Sequence, residues 1–190
     1  MKRRQLLTGA SAGLTLLGAG ALTGCASPRI EDYALETPPL DLRRYFNGTV
    51  DAHGVFTDRA GKVLKRFTVL MQCSWQGEPG RETGVLDEDF LYSDGMRQRR
   101  VWTLQRTPGE GGQGRYTGRA DDVVGVASGE ERGNVFYWTY TLRLPVDGRI
   151  IDVQFDDWMY LMSERVMLNR ATMRKWGVTL GEVTLAFNRR

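Results

Sequence analysis

The stretch Val135–Leu144, VFYWTYTLRL, decides the fold. Phe136, Trp138, Tyr140, Leu142 and Leu144 occupy alternate positions, with Tyr137, Thr139, Thr141 and Arg143 between them. A period of two sends successive side chains to opposite faces of an extended strand, so one face is apolar and the other polar. The run is rich in aromatic and β-branched residues, which suit a pleated, half-buried surface. It ends at Pro145-Val146-Asp147-Gly148, and an Asp-Gly pair supplies the positive φ angles of a tight hairpin.

The same pattern continues in both directions. Strands are expected at 48–57, 62–75, 85–92, 97–106, 114–120, 123–128, 135–144, 150–161, 166–174 and 178–187. Asp58-Arg59-Ala60-Gly61 and Ser93-Asp94-Gly95-Met96 mark further turns, and a short helical turn is expected at 41–45. Sequential strands with hairpin-length links and almost no helix predict an all-β fold. A meander of about 8–10 strands exposes two edges unless it closes, so a single antiparallel barrel is expected, with a β-sandwich as the alternative. Such a barrel either holds one small ligand or fills itself with side chains.

The chain begins MKRRQLLTGASAGLTLLGAGALTGCAS. A basic start at Lys2, Arg3 and Arg4 precedes an uncharged, glycine-rich run too short for a confident membrane span, so residues 1–24 read as an export signal. Leu22-Thr23-Gly24-Cys25 matches a bacterial lipobox, in which Cys25 carries the lipid. The paired arginines and weakly apolar run also suit twin-arginine export. Residues 25–44 then read as lipidated cysteine and polar tether, and 45–190 as the barrel domain. Ala26, where an aspartate would signal inner-membrane retention, favours the outer membrane, with the barrel facing the periplasm and the lipid at Cys25 as its membrane contact.

The formal net charge of +3 resides wholly in Lys2, Arg3 and Arg4. From Cys25 onward the chain is formally neutral, which removes electrostatic support for a nucleic-acid partner. Cys73 has no disulfide partner; alternating with Phe67, Val69, Met71 and Trp75, it reads as a small buried hydrophobe. The one histidine, His53, lies on the polar side of another strand. No catalytic residue, metal site or cofactor is expected.

Two hairpins carry charges that need a reason. Around Ser163-Glu164, Leu161 would oppose Val166, Met159 would oppose Leu168, and Asp157 would oppose Arg170. One reading is a buried ion pair that fixes the register. The other places Arg170 inside the barrel, receiving an anionic head group such as a fatty-acid carboxylate, with Asp157 holding it when the cavity is empty. A loop of odd length would shift the register by one and defeat both. In the second hairpin, Asp89 would oppose Arg100 on a solvated face, with Glu88 sent to the opposite face from its acidic neighbours. PGEGGQGRY (108–116) has the glycines of a phosphate loop without its context, and ADDVV (120–124) offers adjacent acids that point apart.

The ordered succession YFNGTVDAHGVFTDRAGKVLKRFTV, LDEDFLYSDG, RRVWTL, GRADDVVGVASG, WTYTLRLPVDG, FDDWMYLM and LNRATMRKWGVTLGEVTLAF spans 45–187. It resembles a family of bacterial lipoproteins labelled only as a domain of unknown function. The resemblance implies a lipobox signal, a lipocalin-like domain and genes near cyclopropane-fatty-acid-synthase-like enzymes, a hint toward lipid metabolism; it carries no catalytic residues.

The expectation is therefore a lipid-anchored barrel that binds a fatty acid or other lipid, lined by Trp138, Tyr140, Phe155, Asp157 and Met159 with Arg170 as its polar group. The alternatives are a packed barrel acting as interaction partner of an envelope lipid-modifying enzyme, and an enzyme whose site the sequence does not disclose.

Overall fold

The computed structural model describes residues 27–109, 113–146 and 148–190. The expected signal 1–24, the expected lipidation site Cys25 and Asp147 of the Asp-Gly turn lie outside the described residues. Ten strands follow in order: β1 Gly48–Asp58, β2 Val63–Gln76, β3 Thr83–Tyr92, β4 Arg97–Pro108, β5 Gly114–Arg119, β6 Ala127–Arg132, β7 Val135–Val146, β8 Arg149–Leu161, β9 Val166–Lys175 and β10 Val178–Arg189. Each pairs antiparallel with the next, and β1 also pairs β10, from Val50 opposite Arg189 to Asp58 opposite Gly181. The sheet is a closed up-and-down barrel with no free edge, lipocalin-like in plan.

Three expectations are corrected. β6 begins at Ala127, and the preceding segment is a wall loop rather than a strand. Val123 bridges Leu142, and Val124 N donates to Thr141 O at 2.9 Å before Gly125, at φ +75°, turns the chain. The β8–β9 ladder sets Leu161 opposite Met167, Asp157 opposite Ala171 and Trp158 opposite Arg170. The β3–β4 ladder sets Glu88 opposite Arg100 and Asp89 opposite Arg99. Both hairpins turn through an odd number of residues, 162–166 and 92–96, which moves the register by one. In the second, Gly95 at φ +83° makes the extra turn residue accessible.

Successive hairpins alternate between the two ends of the barrel. One end is closed by the chain before β1. Asp41 accepts from Arg44 N at 3.0 Å to cap the helix α1, Leu42–Tyr45, and Leu40, Leu42, Tyr45 and Phe46 are all buried. Glu131, reaching across from β6, accepts from Leu42 N (2.6 Å), Gly114 N (2.9 Å) and the Tyr116 hydroxyl (2.7 Å). Trp75 Nε1 donates to Phe46 O at 2.6 Å. A 3-10 turn at Ile30–Tyr33 buries Ile30 and sets Tyr33 against Trp158 and Tyr160. Within the segment expected as a polar tether, Ile30 and Tyr33 already pack on the barrel.

Inside, the aromatic load is accommodated by glycines. Gly54 opposes Phe67, Gly84 opposes Trp75 and Gly129 opposes Trp138. A Cβ at Gly84 would lie 2.6 Å from the Trp75 ring, and one at Gly118 would lie 2.6 Å from Trp138. Each ring lies over a bare backbone, which restores the packing a strand glycine loses. Outside, ion pairs such as Arg99–Asp87, Arg174–Asp156 and Arg190–Asp51 stud the wall. An apolar lumen inside a charged wall is the inverse of a membrane-spanning barrel.

Gly129→Ala tests the glycine accommodation. The new methyl would lie 2.5 Å from Tyr137 O and 2.6 Å from the Trp138 ring, and a backbone oxygen cannot yield as a side chain can. Overpacking of this kind costs about 1–3 kcal/mol. Urea unfolding should show that loss, with the exposed neighbour substitution Ser128→Ala within about 0.5 kcal/mol of wild type.

Candidate functional site

The barrel encloses a cavity of about 150 Å³, floored by Leu42 and Phe46 at the capped end and reaching Phe56, Tyr92, Gln98 and Leu144 toward the other. Its walls are shared between aromatic and aliphatic side chains. Trp102 meets Trp138 and Tyr140 edge-on at 5.5 and 5.4 Å between ring centroids, and Tyr140 stacks on Phe155 at 5.0 Å. Such contacts hold rings in fixed orientations, so the wall is stiff. Met71 and Met159 are the adaptable members of the lining.

One polar cluster interrupts this surface. Arg100 of β4 points inward and donates from Nε and a terminal nitrogen to Asp122 of the wall loop, at 3.0 and 2.7 Å. Glu88 of β3 lies 3.8 Å from the same guanidinium, whose plane also approaches the Phe90 ring at 5.4 Å. Opposite, Asp157 of β8 accepts from the Tyr140 hydroxyl at 2.9 Å and from Asn169 Nδ2, and Asn169 also donates to Trp158 O at 3.1 Å. Near the mouth, the Tyr92 hydroxyl donates to Gln98 Oε1 at 2.8 Å.

The charges do not balance. Two carboxyls, Glu88 and Asp157, line the apolar chamber with one guanidinium, which Asp122 of the wall loop already engages. Burial pushes Glu88 up to about 7; the Arg100 charge opposes that, while the Asp122 and Asp157 charges add to it. Burial likewise pushes Asp157 up to about 6, against the Tyr140 and Asn169 hydrogen bonds. Burial works against the Arg100 charge too, yet the Asp122 hydrogen bonds and the Glu88 and Asp122 charges outweigh it and raise its pKa. Burial and Asp157 together hold Tyr140 far above the usual phenol range. The chamber therefore holds a permanent cation, an engaged Asp122 and two carboxyls that take up protons near neutrality.

Of the residues expected to line the site, Trp138, Tyr140, Phe155, Asp157 and Met159 all face the cavity. Arg170 does not. The one-residue shift in register puts it on the outer wall, where it pairs with Glu182 at 2.5 Å. Its place as buried cation is taken by Arg100. The signal for Arg100 was present, since it shares its strand face with Trp102 and Leu104, as Glu88 does with Leu86, Phe90 and Tyr92. Asp122 carries no such signal, because it reaches Arg100 from a loop. Cys73 is buried, and burial pushes its thiol up to about 12, which leaves it inert. His53 is exposed on the outer wall.

The chain belongs to the family described as "Protein of unknown function (DUF3833)", whose model matches residues 19–189. Among solved structures, the barrel is similar to the S-type phycobiliprotein lyase CPES from Guillardia theta. The two share 7% identity over 77% of this chain and 89% of that one, with a TM-score of 0.54. At that identity the likeness is one of fold. A fluorescence-activating β-barrel of de novo design aligns with 12% identity over 80% of this chain and 99% of its own, with a TM-score of 0.40. No curated protein matches the chain.

The raised carboxyl pKa values have a definite sign in stability. Both groups bind protons more tightly in the folded chain, so their contribution is complete below the ordinary carboxylate range. It falls away as pH rises through about 6 for Asp157 and about 7 for Glu88. Asp157→Asn removes the first part. Its stability should decline less than that of wild type between about pH 4 and pH 7, by an amount on the order of 3 kcal/mol. Parallel urea titrations across that range measure the difference, in which surface carboxylates such as Asp51 and Asp87 cancel.

Proposed function

We propose that the chain is a lipid-anchored envelope protein whose barrel holds one hydrophobic ligand, with the polar end of that ligand in the Glu88–Arg100–Asp122 and Asp157–Tyr140–Asn169 cluster. The observation that carries this reading is the aromatic-lined cavity interrupted at one place by buried, titratable groups. Binding sites for small molecules combine mostly apolar walls with a few fixed polar groups. The lipobox at Cys25 and the outer-membrane placement argued from Ala26 complete the proposal.

The cluster narrows the ligand. Near neutral pH it offers more acceptors than donors, so it favours a head group that donates hydrogen bonds or carries positive charge. A fatty-acid carboxylate, the first expectation, fits once Glu88 and Asp157 are protonated, and its binding strengthens as pH falls below about 6. The free volume matches the ~150 Å³ cavity that accommodates a benzene-sized guest and falls short of the roughly 300 Å³ at the lower limit of drug-sized pockets. A long acyl chain must therefore displace side chains, with Met71 and Met159 the most compliant. The same small volume supports a second reading, a self-filled barrel that serves as partner to an envelope lipid-modifying enzyme.

Titration with dodecylamine and with dodecanoate, followed by emission of the cavity tryptophans Trp102 and Trp138, separates the readings. At about pH 7.5 the amine should bind roughly tenfold more tightly or better, a difference of about 1.4 kcal/mol. The gap should close toward pH 5. Absence of saturable uptake of either chain would overturn the carrier reading in favour of the filled barrel.

A further inference from the structure

The end of the barrel away from α1 carries a ring of apolar turns. Leu64, Met96, Val126, Ile150, Trp176 and Val178 come from the five connections at this end, and Trp176 is 90% exposed, Ile150 71% and Leu64 62%. At the capped end the large exposed hydrophobics among the described residues are Met162 and, on the segment before α1, Leu35. The cavity reaches toward this ring through Phe56, Tyr92 and Leu144, while the segment that packs across an end, Leu40–Phe46, does so at the other.

Trp176 is the most informative member. Its φ is 50° and that of Gly177 is 78°, so the β9–β10 turn places both central residues in the left-handed region. Asparagine followed by glycine suits such a turn, and a bulky aromatic there costs free energy that the fold does not recover, because the indole touches little beyond the Lys175 ammonium at 4.7 Å. An exposed indole beside a cation is the side chain found where protein meets the head-group region of a bilayer.

The charges at this rim agree. Arg59, Lys62, Arg97 and Arg149 are exposed and form no ion pair among the described residues. Of the rim carboxylates among the described residues, Asp94 pairs with Lys65 at 2.8 Å and Asp122 is taken by Arg100, so Asp58, which accepts from Ala60 N and Lys62 N, and Asp121 stand against those four cations. We infer that this rim docks on a lipid bilayer bearing anionic head groups. Trp176, Ile150 and Leu64 insert at the interface and the basic side chains meet phosphates, so the mouth of the barrel opens onto lipid. The docking assignment stands on the rim and not on any ligand inside.

The test is flotation of the full chain carrying Cys25→Ser, which removes any lipid anchor, with vesicles of phosphatidylcholine and phosphatidylglycerol. The triple variant Leu64→Ser/Ile150→Ser/Trp176→Ser should lower the partition constant by about tenfold or more. A control with Leu70, Met162 and Leu168 each changed to Ser removes exposed apolar groups away from the mouth and should stay within about twofold. Acyl-brominated lipid should quench part of the emission of the parent chain, and Trp176→Phe should abolish that part. Equal partition of rim variant and parent, an equal loss in the control, or quenching that survives Trp176→Phe would each overturn the inference. Vesicle binding without uptake of dodecylamine or dodecanoate would leave the docking rim standing while the carrier reading falls.

Discussion

Everything in this molecule depends on the pairing of β1 with β10. That ladder joins strands at opposite ends of the domain, and its parity decides which residues of β1 and β10 face inward: Ala52 with Phe187, Gly54 with Leu185, Phe56 with Val183. A slip of one residue there would turn these side chains to solvent and present His53 and Thr184 to the core. Closure also removes the two edges that a meander of this length would otherwise expose to other chains. Its cost is conformational entropy, since contacts so distant in sequence form only after most of the chain has been ordered. The aromatic interior offsets that cost, and the glycines beneath Trp75 and Trp138 let the rings fit inside a barrel of this girth.

Local pattern disclosed the strands well and their registers poorly. Alternation in Val135–Leu144 marks β7, and similar alternation marks the other strands except β6 to within a few residues, because side-chain period is a property of a single strand. Register belongs to a pair and depends on whether the connecting loop is odd or even. Asp94-Gly95 and Ser163-Glu164 both sit in odd loops that resemble even ones in sequence. The consequence is chemical: even loops would set Arg170 in the lumen and Arg100 on the outer wall, and the structure exchanges them. Val123-Val124 failed for a different reason, since β-branched residues there serve a loop that continues the wall beside β7.

That exchange changes the chemistry of the chamber. Arg170 with Asp157 would have been a balanced pair, ready to trade its acid for a ligand carboxylate. Arg100 comes already doubly engaged, by Asp122 along one edge and Glu88 nearby, and Asp157 is satisfied separately by Tyr140 and Asn169. A buried charge stripped of its partner costs several kcal/mol, so a ligand gains little by displacing Asp122. It gains more by donating to Glu88 or Asp157, the groups whose ionisation the chamber resists. Protonation thus sets how many acceptors the site presents, and on the proposed reading selectivity for head-group charge would follow from burial rather than from any single contact.

The two ends of the barrel are built on opposite principles. The capped end is satisfied internally, with Glu131 holding α1, Gly114 and Tyr116 together and Trp75 fastening Phe46. The far end leaves indole, isoleucine and leucine side chains in water although none of them supports the core. The segment arriving from Cys25 meets the barrel beside Gly133, where Leu40 N donates to Gly133 O at 2.8 Å, a turn that belongs to the capped end. A lipid on Cys25 would therefore tether the domain from the end opposite its apolar rim. On the proposed reading, such an anchor and the rim would be separate membrane contacts, one attached through a short chain and the other displayed by the hairpins. A barrel loaded through its mouth would need the second even with the first in place.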